Sequence, residues 1–528
     1  MSIIVTNIRT DYRASPADII VKALKSINVG KHNIEYCGIF RESLDLRHGN
    51  ISKISSVELS FSNLIDEAKI AEGNPSVYIK PQAFIPVVTG KNKLHSRPVV
   101  VGFGPAGMFA ALMLAERGFK PIVLERGSSI ENRDRDVKSF FYNKILNTQS
   151  NIQFGEGGAG AYSDGKLTTR INDPLCQLVL DTFKKFGAPD EVIRLAKPHI
   201  GTDLLKGIVV SIRKRIEKLG GQVLFNTSLV EINTHGDKLK SVTTTNGTID
   251  TEVLILAIGH SARDTVKMLF DNGLEVSPKA FSVGLRIEHL QSRVNKSVYG
   301  KYAEYGDLPA GEYTLSAKPY DRGCYSFCMC PGGYVIAATS EEGGVVTNGM
   351  SMHSRNGTNS NSAVCVSVTP YDFESSSALA GIDFQRKLEK AAFTCGGSNY
   401  SAPVQTVGDF LAGTKGAKPS AVKPTYPIGY NFVDFGDILP GFVTNTLKAS
   451  MPAFASRLSC FADQSAIFTG VETRTSSPVR IERNGVFDST RIKGIMPCGE
   501  GAGYAGGIMS AAVDGIKVAN AIMAEYFC

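Results

Sequence analysis

A glycine-rich turn near residue 102 is the clearest candidate for chemistry in this sequence. Gly102, Gly104 and Gly107 follow the spacing G-x-G-x-x-G between a short apolar segment and a helical pattern. We expect Gly102 to allow a tight turn, Gly104 to let the backbone approach a pyrophosphate, and Gly107 to let the helix pack closely on its sheet. The turn therefore predicts a dinucleotide at the N-terminus of the following helix.

An acidic residue completes this pattern. Glu125 lies eighteen positions after Gly107, at the end of the next predicted strand, where a carboxylate can accept hydrogen bonds from ribose hydroxyls. The alternative is a glycine-rich turn that binds nothing. The order strand, turn, helix, strand and acidic residue favours binding.

Two further stretches match the same spacing, and they show how weak the spacing is by itself. The glycines of residues 155–160 are followed by Tyr162-Ser-Asp-Gly165, which does not predict a helix, so we reject a second nucleotide site there. The glycines of residues 501–506 do lie between a strand and a helix. Too little chain follows them to supply the rest of a nucleotide-binding half.

The end of the sequence resembles flavoproteins of the glutathione-reductase-like class. In that class a strand, an acidic residue, a glycine cluster and a last helix close over FAD, and here they correspond to residues 494–526. The resemblance places Glu500 near the ribityl or pyrophosphate portion. It directs the helix N-terminus near Gly506, Gly507 and Ile508 at the pyrimidine edge of the flavin. A helix N-terminus there would stabilise the negative charge of reduced flavin.

Two more segments are similar to that class. Residues 253–259, ending Ala257-Ile-Gly259, resemble the strand and turn through which the chain leaves the FAD domain. Residues 229–231, with Val230 at the centre, resemble the segment whose backbone contacts adenine. The resemblance implies FAD, and not NAD, as the resident cofactor. Glycines used only for packing are the alternative.

Longer strings resemble one family more closely, the uncharacterised bacterial FAD-dependent dehydrogenases, also called NAD(FAD)-utilising dehydrogenases. The strings that carry this resemblance are QFGEGGAG at 153–160, SDGKLTTR at 163–170, HIGTD at 199–203, FCMCPGG at 327–333, NGM at 348–350, NSNSA at 359–363, GVETRTSSPVR at 470–480 and GEGAGYAGGIMS at 499–510. They cover nearly the whole chain. One departure is His260-Ser261, where broader flavoenzymes often have Thr-Gly-Gly. The family has no settled substrate. The resemblance therefore implies the cofactor and the fold, and it says less about the reaction.

Two cationic residues are candidates for catalysis. Lys166 follows the 155–160 glycines, which we expect close to the flavin ring, and it could neutralise an anionic substrate or reduced flavin. An ordinary salt-bridged lysine is the alternative. Arg474 could bind a carboxylate or phosphate in bidentate fashion, and a structural ion pair with Glu472 is its alternative.

Three cysteines fall within seven positions, at Cys324, Cys328 and Cys330. The strand period of two predicts that Cys328 and Cys330 share a face. A metal site lacks a second close pair or a histidine partner, so a thiol lining the substrate cavity, or simple packing, is favoured. The chain has no Cys-x-x-Cys or Cys-x₄-Cys pair after the first FAD helix, which argues against a disulfide reductase.

Three other side chains are candidate proton donors, and each has a structural role as its alternative. They are His199, His260 and Tyr504.

Composition excludes several classes of protein. The chain has 528 residues, 43% of them hydrophobic and 20% charged, so it is neither a single small module nor disordered. The net charge of +7 is spread out, without the dense basic stripe of a nucleic-acid binder. Ten irregularly spaced cysteines give no disulfide framework. We expect no signal peptide and no membrane span, and therefore a cytoplasmic protein.

We predict an α/β fold with a doubly wound, glutathione-reductase-like Rossmann domain that binds FAD. The predicted domains are a small α+β unit at 1–92, the first part of the FAD domain at 97–285, an inserted α+β substrate domain at 286–465, and the rest of the FAD domain at 466–528. The stretch 90–97 is predicted as a polar linker. A strand at 3–8 and a helix capped by Ser15 with Pro16 are predicted in the first unit.

The predicted function is an FAD-dependent dehydrogenase or reductase that transfers hydride between flavin N5 and an unidentified small organic substrate, which could be anionic. A flavin-dependent RNA-modifying enzyme and a non-catalytic FAD-binding protein are the alternatives. Transient docking of NAD(P)H stays open, as does the oligomeric state. No membrane or nucleic-acid partner and no metal are expected. The predicted catalytic residues are Lys166, Arg474, Tyr504 and Cys328. The predicted FAD contacts are Gly102, Gly104, Pro105, Ala106, Gly107, Glu125, Arg126, Gly157, Gly158, Val230, Gly259, Gly499, Glu500, Gly506, Gly507 and Ile508.

Overall fold

A computed structural model describes residues 2–29, 34–62, 66–80, 90–416 and 421–528. The remaining parts of the predicted first domain lie outside the described residues. None of the helices in the described ranges combines the length and apolar character that crossing a bilayer requires.

In the described residues the strands range from two to twelve residues in length. In chain order they are β1 (Ile3–Asp11), β2 (Ile34–Asp45), β3 (Ser52–Phe61), β4 (Val77–Ile79), β5 (Asn92–Lys93), β6 (Val99–Val101), β7 (Ile122–Leu124), β8 (Gln222–Leu224), β9 (Leu229–His235), β10 (Lys238–Thr244), β11 (Gly247–Asp250), β12 (Leu254–Leu256), β13 (Val276–Pro278), β14 (Phe281–Leu290), β15 (Ser316–Ala317), β16 (Cys324–Cys330), β17 (Tyr334–Ala337), β18 (Thr347–Met350), β19 (Asn359–Val368), β20 (Ala402–Thr406), β21 (Tyr430–Phe432), β22 (Ile467–Glu472), β23 (Val479–Ile481), β24 (Ile495–Pro497) and β25 (Tyr526–Phe527).

The α-helices range from a single turn to five turns. They are α1 (Pro16–Ser26), α2 (Glu67–Glu72), α3 (Pro105–Glu116), α4 (Ile130–Asn143), α5 (Leu175–Lys185), α6 (Glu191–Arg194), α7 (Thr202–Lys218), α8 (Arg263–Asp271), α9 (Gln291–Tyr299), α10 (Ala380–Cys395), α11 (Val407–Ala412), α12 (Gly441–Arg457) and α13 (Ile508–Glu525).

A parallel sheet of five strands has the order β24-β12-β6-β7-β8. Its three central strands are apolar and almost entirely buried, because helices cover both faces of such a sheet. The predicted β-α-β unit is present as β6, α3 and β7. The helix α13 crosses α3 closely, since a Cβ atom at Gly515 would lie 2.1 Å from the carbonyl oxygen of Ala106.

A second, mostly antiparallel sheet of seven strands has the order β15-β16-β19-β14-β22-β20-β21. The predicted boundary between residues 285 and 286 falls inside its strand β14, and β22 begins after the predicted boundary at 465. Helix α10 packs against β20 and β22, and α12 packs against β14 and β19. The sequence pattern did not predict these two long helices.

The chain begins with a smaller antiparallel sheet in the order β2-β3-β1-β4. With α1 after β1 and α2 after β3, this is the split β-α-β arrangement of ferredoxin-like units. The predicted cap of α1 is confirmed, because Ser15 accepts a hydrogen bond from the backbone N–H of Asp18 and Pro16 occupies the first helical position.

The segment after this unit is more ordered than a polar linker. β5 pairs in parallel with β25, and the backbone at Gly90 lies so close to Tyr526 that a Cβ atom would be 2.1 Å from its nitrogen. The predicted linker is therefore partly a strand that holds the last residues of the sequence.

Candidate functional site

A cavity of about 1250 Å³ lies where the carboxyl ends of the parallel strands face the seven-stranded sheet. One wall consists of the turns after β6, β7 and β12, together with the start of α13. The other wall includes residues 325–329 of β16, Glu472 at the end of β22, and residues 474–476 after it. The carboxyl ends of parallel strands are where open α/β sheets bind ligands. Its volume exceeds the roughly 300–1,000 Å³ of ordinary small-molecule pockets.

The turn at residues 102–107 has the geometry predicted for each of its glycines. Gly102 has φ +96°, and a Cβ atom there would lie 2.4 Å from the carbonyl oxygen of Ala257. At Gly107 a Cβ atom would lie 2.0 Å from the carbonyl oxygen of Gly102, so α3 needs a glycine to pack here. At Gly104 a Cβ atom would meet only the Cα of Gly158, at 3.7 Å. Gly104 thus leaves open space beside the cavity.

Glu125 binds the protein's own backbone. Its carboxylate accepts hydrogen bonds from the N–H groups of Phe103 at 2.8 Å, Gly127 at 2.9 Å and Gly155 at 2.9 Å. A carboxylate has about four acceptor positions, so one remains for a ribose hydroxyl. Glu125 therefore also joins the glycine turn of α3 to the 155–160 loop.

The start of α13 forms the opposite end of the cavity. The N-cap residues of α13 and α3 are Gly507 and Gly104, which have no side chain to cap a helix. Within the described part of the chain, no side-chain hydrogen bond caps the N-terminus of either helix. Glu500 lies beside α13, and burial raises the pKa of its carboxyl to about 7. Within the described residues no side-chain hydrogen bond holds this carboxyl.

Most residues predicted to contact the cofactor line the cavity. They are Gly102, Gly104, Pro105, Ala106, Glu125, Arg126, Gly158, Gly259, Glu500, Gly506, Gly507 and Ile508. Four others are not among its lining residues: Gly107, Gly157, Gly499 and Val230. Gly157 and Gly499 are buried behind the wall, and Val230 is 48% exposed, with its neighbours Ser228 and Leu229 lining the cavity instead.

Lys166 lies on the cavity wall with its charge already compensated. Its ammonium group donates to the carbonyl oxygen of Met329 and lies 3.1 Å from Asp164, which also pairs with Arg355. Burial lowers the pKa of Lys166, but the Asp164 carboxylate outweighs that effect and raises the pKa above its usual value. The arrangement matches the salt-bridged alternative and still leaves Lys166 at the cavity.

Arg474 binds an internal carboxylate. Its guanidinium donates to both oxygens of Glu389 at 3.1 and 3.0 Å, and also to Ser261 and Ser340. The expected alternative, a pair with Glu472, is wrong, because Glu472 pairs with Arg286 at 2.7 Å. Because its donors are engaged, the predicted bidentate contact with a substrate anion would require Arg474 to leave Glu389.

The candidate proton donors are differently placed. His260 lines the cavity, but burial, reinforced by Arg474 and Arg263, lowers its pKa to about 3 and keeps it neutral. His199 is not among the lining residues and hydrogen-bonds the His353 carbonyl at 3.0 Å. Tyr504 lines the cavity, while its hydroxyl accepts a hydrogen bond from the backbone N–H of Arg483.

Three charged residues near the cavity were not predicted from the sequence. Arg286 is fully buried on β14 and binds Glu472, which lines the cavity. Lys279 and Arg170 line the cavity, and within the described residues neither has an ion-pair partner. An arginine in the otherwise apolar segment 283–287 is the signal that could have identified Arg286.

Among the described residues, no group of three or more His, Cys, Asp or Glu side chains could hold a metal ion. Cys324, Cys328 and Cys330 carry free thiols, and of these only Cys328 is part of the cavity wall.

Comparison with known proteins supports the cofactor prediction. Residues 280–475 match the family described as "FAD-dependent protein, C-terminal domain-like". A protein of Clostridium beijerinckii that is described as uncharacterized is 46% identical over 513 residues, which cover 96% of this chain and 95% of that protein.

Solved structures give weaker similarity. Glycine oxidase from Bacillus cereus covers 81% of this chain and 94% of its own, with 11% identity and a TM-score of 0.32. L-Amino acid deaminase from Proteus myxofaciens covers 84% and 93%, with 12% identity and a TM-score of 0.32.

The prediction of FAD is confirmed by the family match, and the residues present fit this cofactor. The open space at Gly104 leaves room for a pyrophosphate. The uncapped N-termini of α3 and α13 offer N–H groups to anionic groups at two places in one cavity.

Proposed function

Because the chain belongs to one family with its Clostridium beijerinckii relative and carries the C-terminal domain of FAD-dependent proteins, we propose that it is an FAD-dependent oxidoreductase. The finer proposal is a dehydrogenase or reductase with a glutathione-reductase-like FAD domain and a small organic substrate. The single observation that carries it is one cavity bounded by two uncapped helix N-termini and large enough for a dinucleotide and a substrate.

Bound FAD would supply hydride transfer at its N5 atom, and the protein would supply position and charge. The turn at Gly104 and the first turn of α3 would hold the pyrophosphate, with Glu125 and Arg126 towards the ribose. Glu500, Gly506 and Gly507 would lie at the opposite end. The N-terminus of α13 would stabilise negative charge that develops there.

The distribution of charge supports an anionic substrate. Lys166 and Arg474 are compensated by Asp164 and Glu389, whereas Arg170 and Lys279 reach the cavity without an ion-pair partner in the described ranges. Arg170 is exposed, so it lies where a substrate would enter from solvent. A carboxylate or phosphate on the substrate would compensate these cations.

Filling the space at Gly104 tests the cofactor site. A Cβ atom there clashes with nothing in the protein, so Gly104→Val should fold and yet exclude the pyrophosphate. We expect a colourless but folded variant, measured by flavin absorbance together with circular dichroism. Gly441→Val is the control, because Gly441 begins α12 with open space around it and lies outside the cavity wall. A yellow Gly104→Val protein would contradict this placement of FAD.

Anaerobic mixing with NADH or NADPH tests the reaction. We expect one of them to bleach the flavin absorbance of the holoprotein, as a transiently docked donor would. Bleaching by an organic substrate alone would also support an oxidoreductase. Inertness towards every donor and substrate would favour a non-catalytic FAD-binding protein instead.

A further inference from the structure

Strand β16 contains a bulge where it passes the cavity. It pairs in register with β19 from Cys324 to Phe327, loses the register, and resumes it at Cys330 opposite Asn361. Cys328 has φ +45°, a conformation that residues with a side chain seldom adopt. Bulges re-aim side chains next to functional sites, and strained backbone of this kind tends to accumulate there.

The bulge changes the position of Cys330 relative to Cys328. In a regular strand, residues two apart point the same way but are separated by a full pleat repeat. Here the bulge brings the Cys330 sulfur to 3.4 Å from the carbonyl oxygen of Cys328, and each thiol shifts the pKa of the other. Cys328 lines the cavity, and Cys330 is fully buried directly behind it.

Cations surround this pair of thiols. Arg286 donates to the carbonyl oxygen of Cys328 at 3.1 Å, and Lys166 donates to the carbonyl oxygen of Met329, the residue between the two cysteines. The Cys330 thiol, together with Arg286 and Lys166, lowers the pKa of Cys328 below its usual value. The Cys328 group and burial raise the pKa of Cys330 well above its usual value. These surroundings favour the thiolate form of Cys328 and the protonated form of Cys330.

The other charged groups that face Cys328 are acidic and come from other elements. Glu472 lies at the end of β22 and is bound by Arg286, and Glu500 lies before α13. Negative charge on Cys328 raises the pKa of Glu500, and both residues line the same cavity. The thiol pair therefore lies at the Glu500 end of the cavity.

We propose that Cys328 and Cys330 form a redox-active dithiol that exchanges an electron pair with FAD bound in the same cavity. The inference rests on the proposed placement of the flavin end of FAD near Glu500 and the start of α13. It adds a second redox centre, built from the protein's own side chains, to the proposed oxidoreductase. The sequence has no Cys-x-x-Cys pair after α3, which argues against a disulfide reductase of that type. It does not argue against this dithiol, because Cys328 and Cys330 lie in β16, on the opposite wall of the cavity.

Electrons and protons balance in the exchange between the dithiol and FAD. When the dithiol is oxidised, the Cys328 thiolate and the Cys330 thiol lose two electrons and the single proton of Cys330, and a bond forms between the two sulfurs. Oxidised FAD would accept both electrons and that proton and become the anionic reduced form, whose negative charge the N-terminus of α13 would stabilise. In the reverse direction two electrons and one proton return, the S–S bond breaks, Cys330 regains its proton, and Cys328 is again a thiolate near Arg286 and Lys166.

Reductive titration of the holoprotein tests the proposal. The yellow protein is oxidised with diamide, made anaerobic and titrated with dithionite while its flavin absorbance is followed. We expect the wild-type protein to consume twofold more reductant per FAD than Cys328→Ser or Cys330→Ala, since each redox centre takes two electrons. Cys324→Ala, on the same strand but away from the cavity wall, should behave like the wild type.

A measurement on the wild-type protein keeps the test valid if either variant fails to fold. After oxidation, mass spectrometry of the fragment that contains residues 328–330 should show loss of two hydrogens and no alkylation. After reduction, both thiols should be alkylated.

The outcomes separate the two proposals. A yellow protein that consumes one pair of electrons per FAD and keeps both thiols alkylatable after oxidation overturns the dithiol and leaves the FAD site intact. A colourless protein that does not take up FAD overturns the proposed function itself.

Discussion

Glu389 neutralises two arginines at once. It accepts hydrogen bonds from Arg263 at 2.7 and 2.9 Å and from Arg474 at 3.0 and 3.1 Å, and all three side chains are almost completely buried. Burial raises the pKa of Glu389, but the two guanidinium groups lower it more, so that the pKa lies well below the usual range. The carboxylate therefore holds α8, α10 and the end of β22 together behind the cavity.

Replacing Glu389 with glutamine should destabilise the protein strongly. Arg474 would lose its buried counter-charge and Arg263 would keep only its pair with Glu341, and breaking a buried ion pair typically costs about 3–5 kcal/mol. We expect a clear drop in the thermal midpoint, measured by calorimetry. Glu374→Gln is the control, because Glu374 forms an exposed pair with Lys387 that is worth no more than about 1 kcal/mol. Equal thermal midpoints for both variants would show that the buried ion pairs of Glu389 contribute nothing to the stability of the protein.

Glu500 should make the stability of the apoprotein depend on pH. The unfolded carboxyl loses its proton near 4.5 and the folded one near 7, so between these values the folded state binds more protons. The free energy of unfolding therefore falls as pH rises from 4.5 to about 7, and then levels. The loss is at most about 3 kcal/mol.

The variant Glu500→Gln lacks this titration. Its thermal midpoint minus that of the wild type should therefore rise across the same pH interval in the FAD-free protein. A difference that stays constant with pH would contradict the raised pKa of Glu500.

Residue-level prediction from sequence succeeded where a short motif carries its own geometry. The spacing of Gly102, Gly104 and Gly107 predicted the tight turn at Gly102 and the close packing at Gly107, while the pyrophosphate contact at Gly104 stays a prediction. It failed for Arg474, because Glu389 lies 85 residues away on α10 and no local pattern joins the two. A pairing of this kind is decided by tertiary packing, which a single sequence does not display.

At the level of elements, the crossing of α13 over α3 sets the width of the cavity. The two helices touch at Gly515 and Ala106, and the N-termini of both helices line the cavity. Any side chain at residue 515 must push the helices apart, and this would move Gly507 relative to Gly104.

Gly515→Ala should weaken FAD binding and lower stability. The added Cβ atom would lie 2.1 Å from a backbone oxygen that cannot rotate away, so strain of about 1–3 kcal/mol is expected. The measurements are retention of FAD through gel filtration and the thermal midpoint. Gly207→Ala is the matched control, because Gly207 in α7 has open space around it and should gain up to about 1 kcal/mol of helix stability. If the two variants retain FAD equally and have equal thermal midpoints, the close crossing of α3 and α13 affects neither FAD binding nor stability.

Helices and strands could be predicted from the sequence where the spacing of apolar residues is regular. The helices α3 and α13 and the strands β6, β7 and β12 lie where the sequence predicted a helix or a strand. Helix α12 was missed because its segment mixes threonine, serine and an internal Pro452 with apolar residues, so it lacks a clear apolar stripe. The bulge at Cys328 was missed because the expected period of two assumes a regular strand.

At the scale of the whole molecule, the cavity separates two hydrophobic cores. One core surrounds α3 and α13 beside the parallel sheet, and the other fills the seven-stranded sheet and α12. A ligand that touches both walls would join the two cores, and the free energy of its binding adds to the stability of the folded state.

Removing FAD should therefore lower the stability of the whole chain. With free FAD at about a thousandfold its dissociation constant, the expected stabilisation is about 4 kcal/mol. Calorimetry of the protein with FAD, stripped of FAD and reconstituted should show a higher midpoint only in the first and third samples. Identical midpoints would mean that FAD does not bridge the two walls.

The order of strands in the parallel sheet bears on how the protein is made. Helix α13 crosses α3 beside the cavity although residues 117–507 separate the two helices, and β24 pairs with β12 at the edge of the sheet. The chain must be synthesised as far as α13 before this crossing can form, and contacts over such long separations raise the contact order and slow folding. During that interval the buried apolar strand β12 lacks its neighbour β24, and an unpaired strand of this kind makes a nascent chain prone to aggregation.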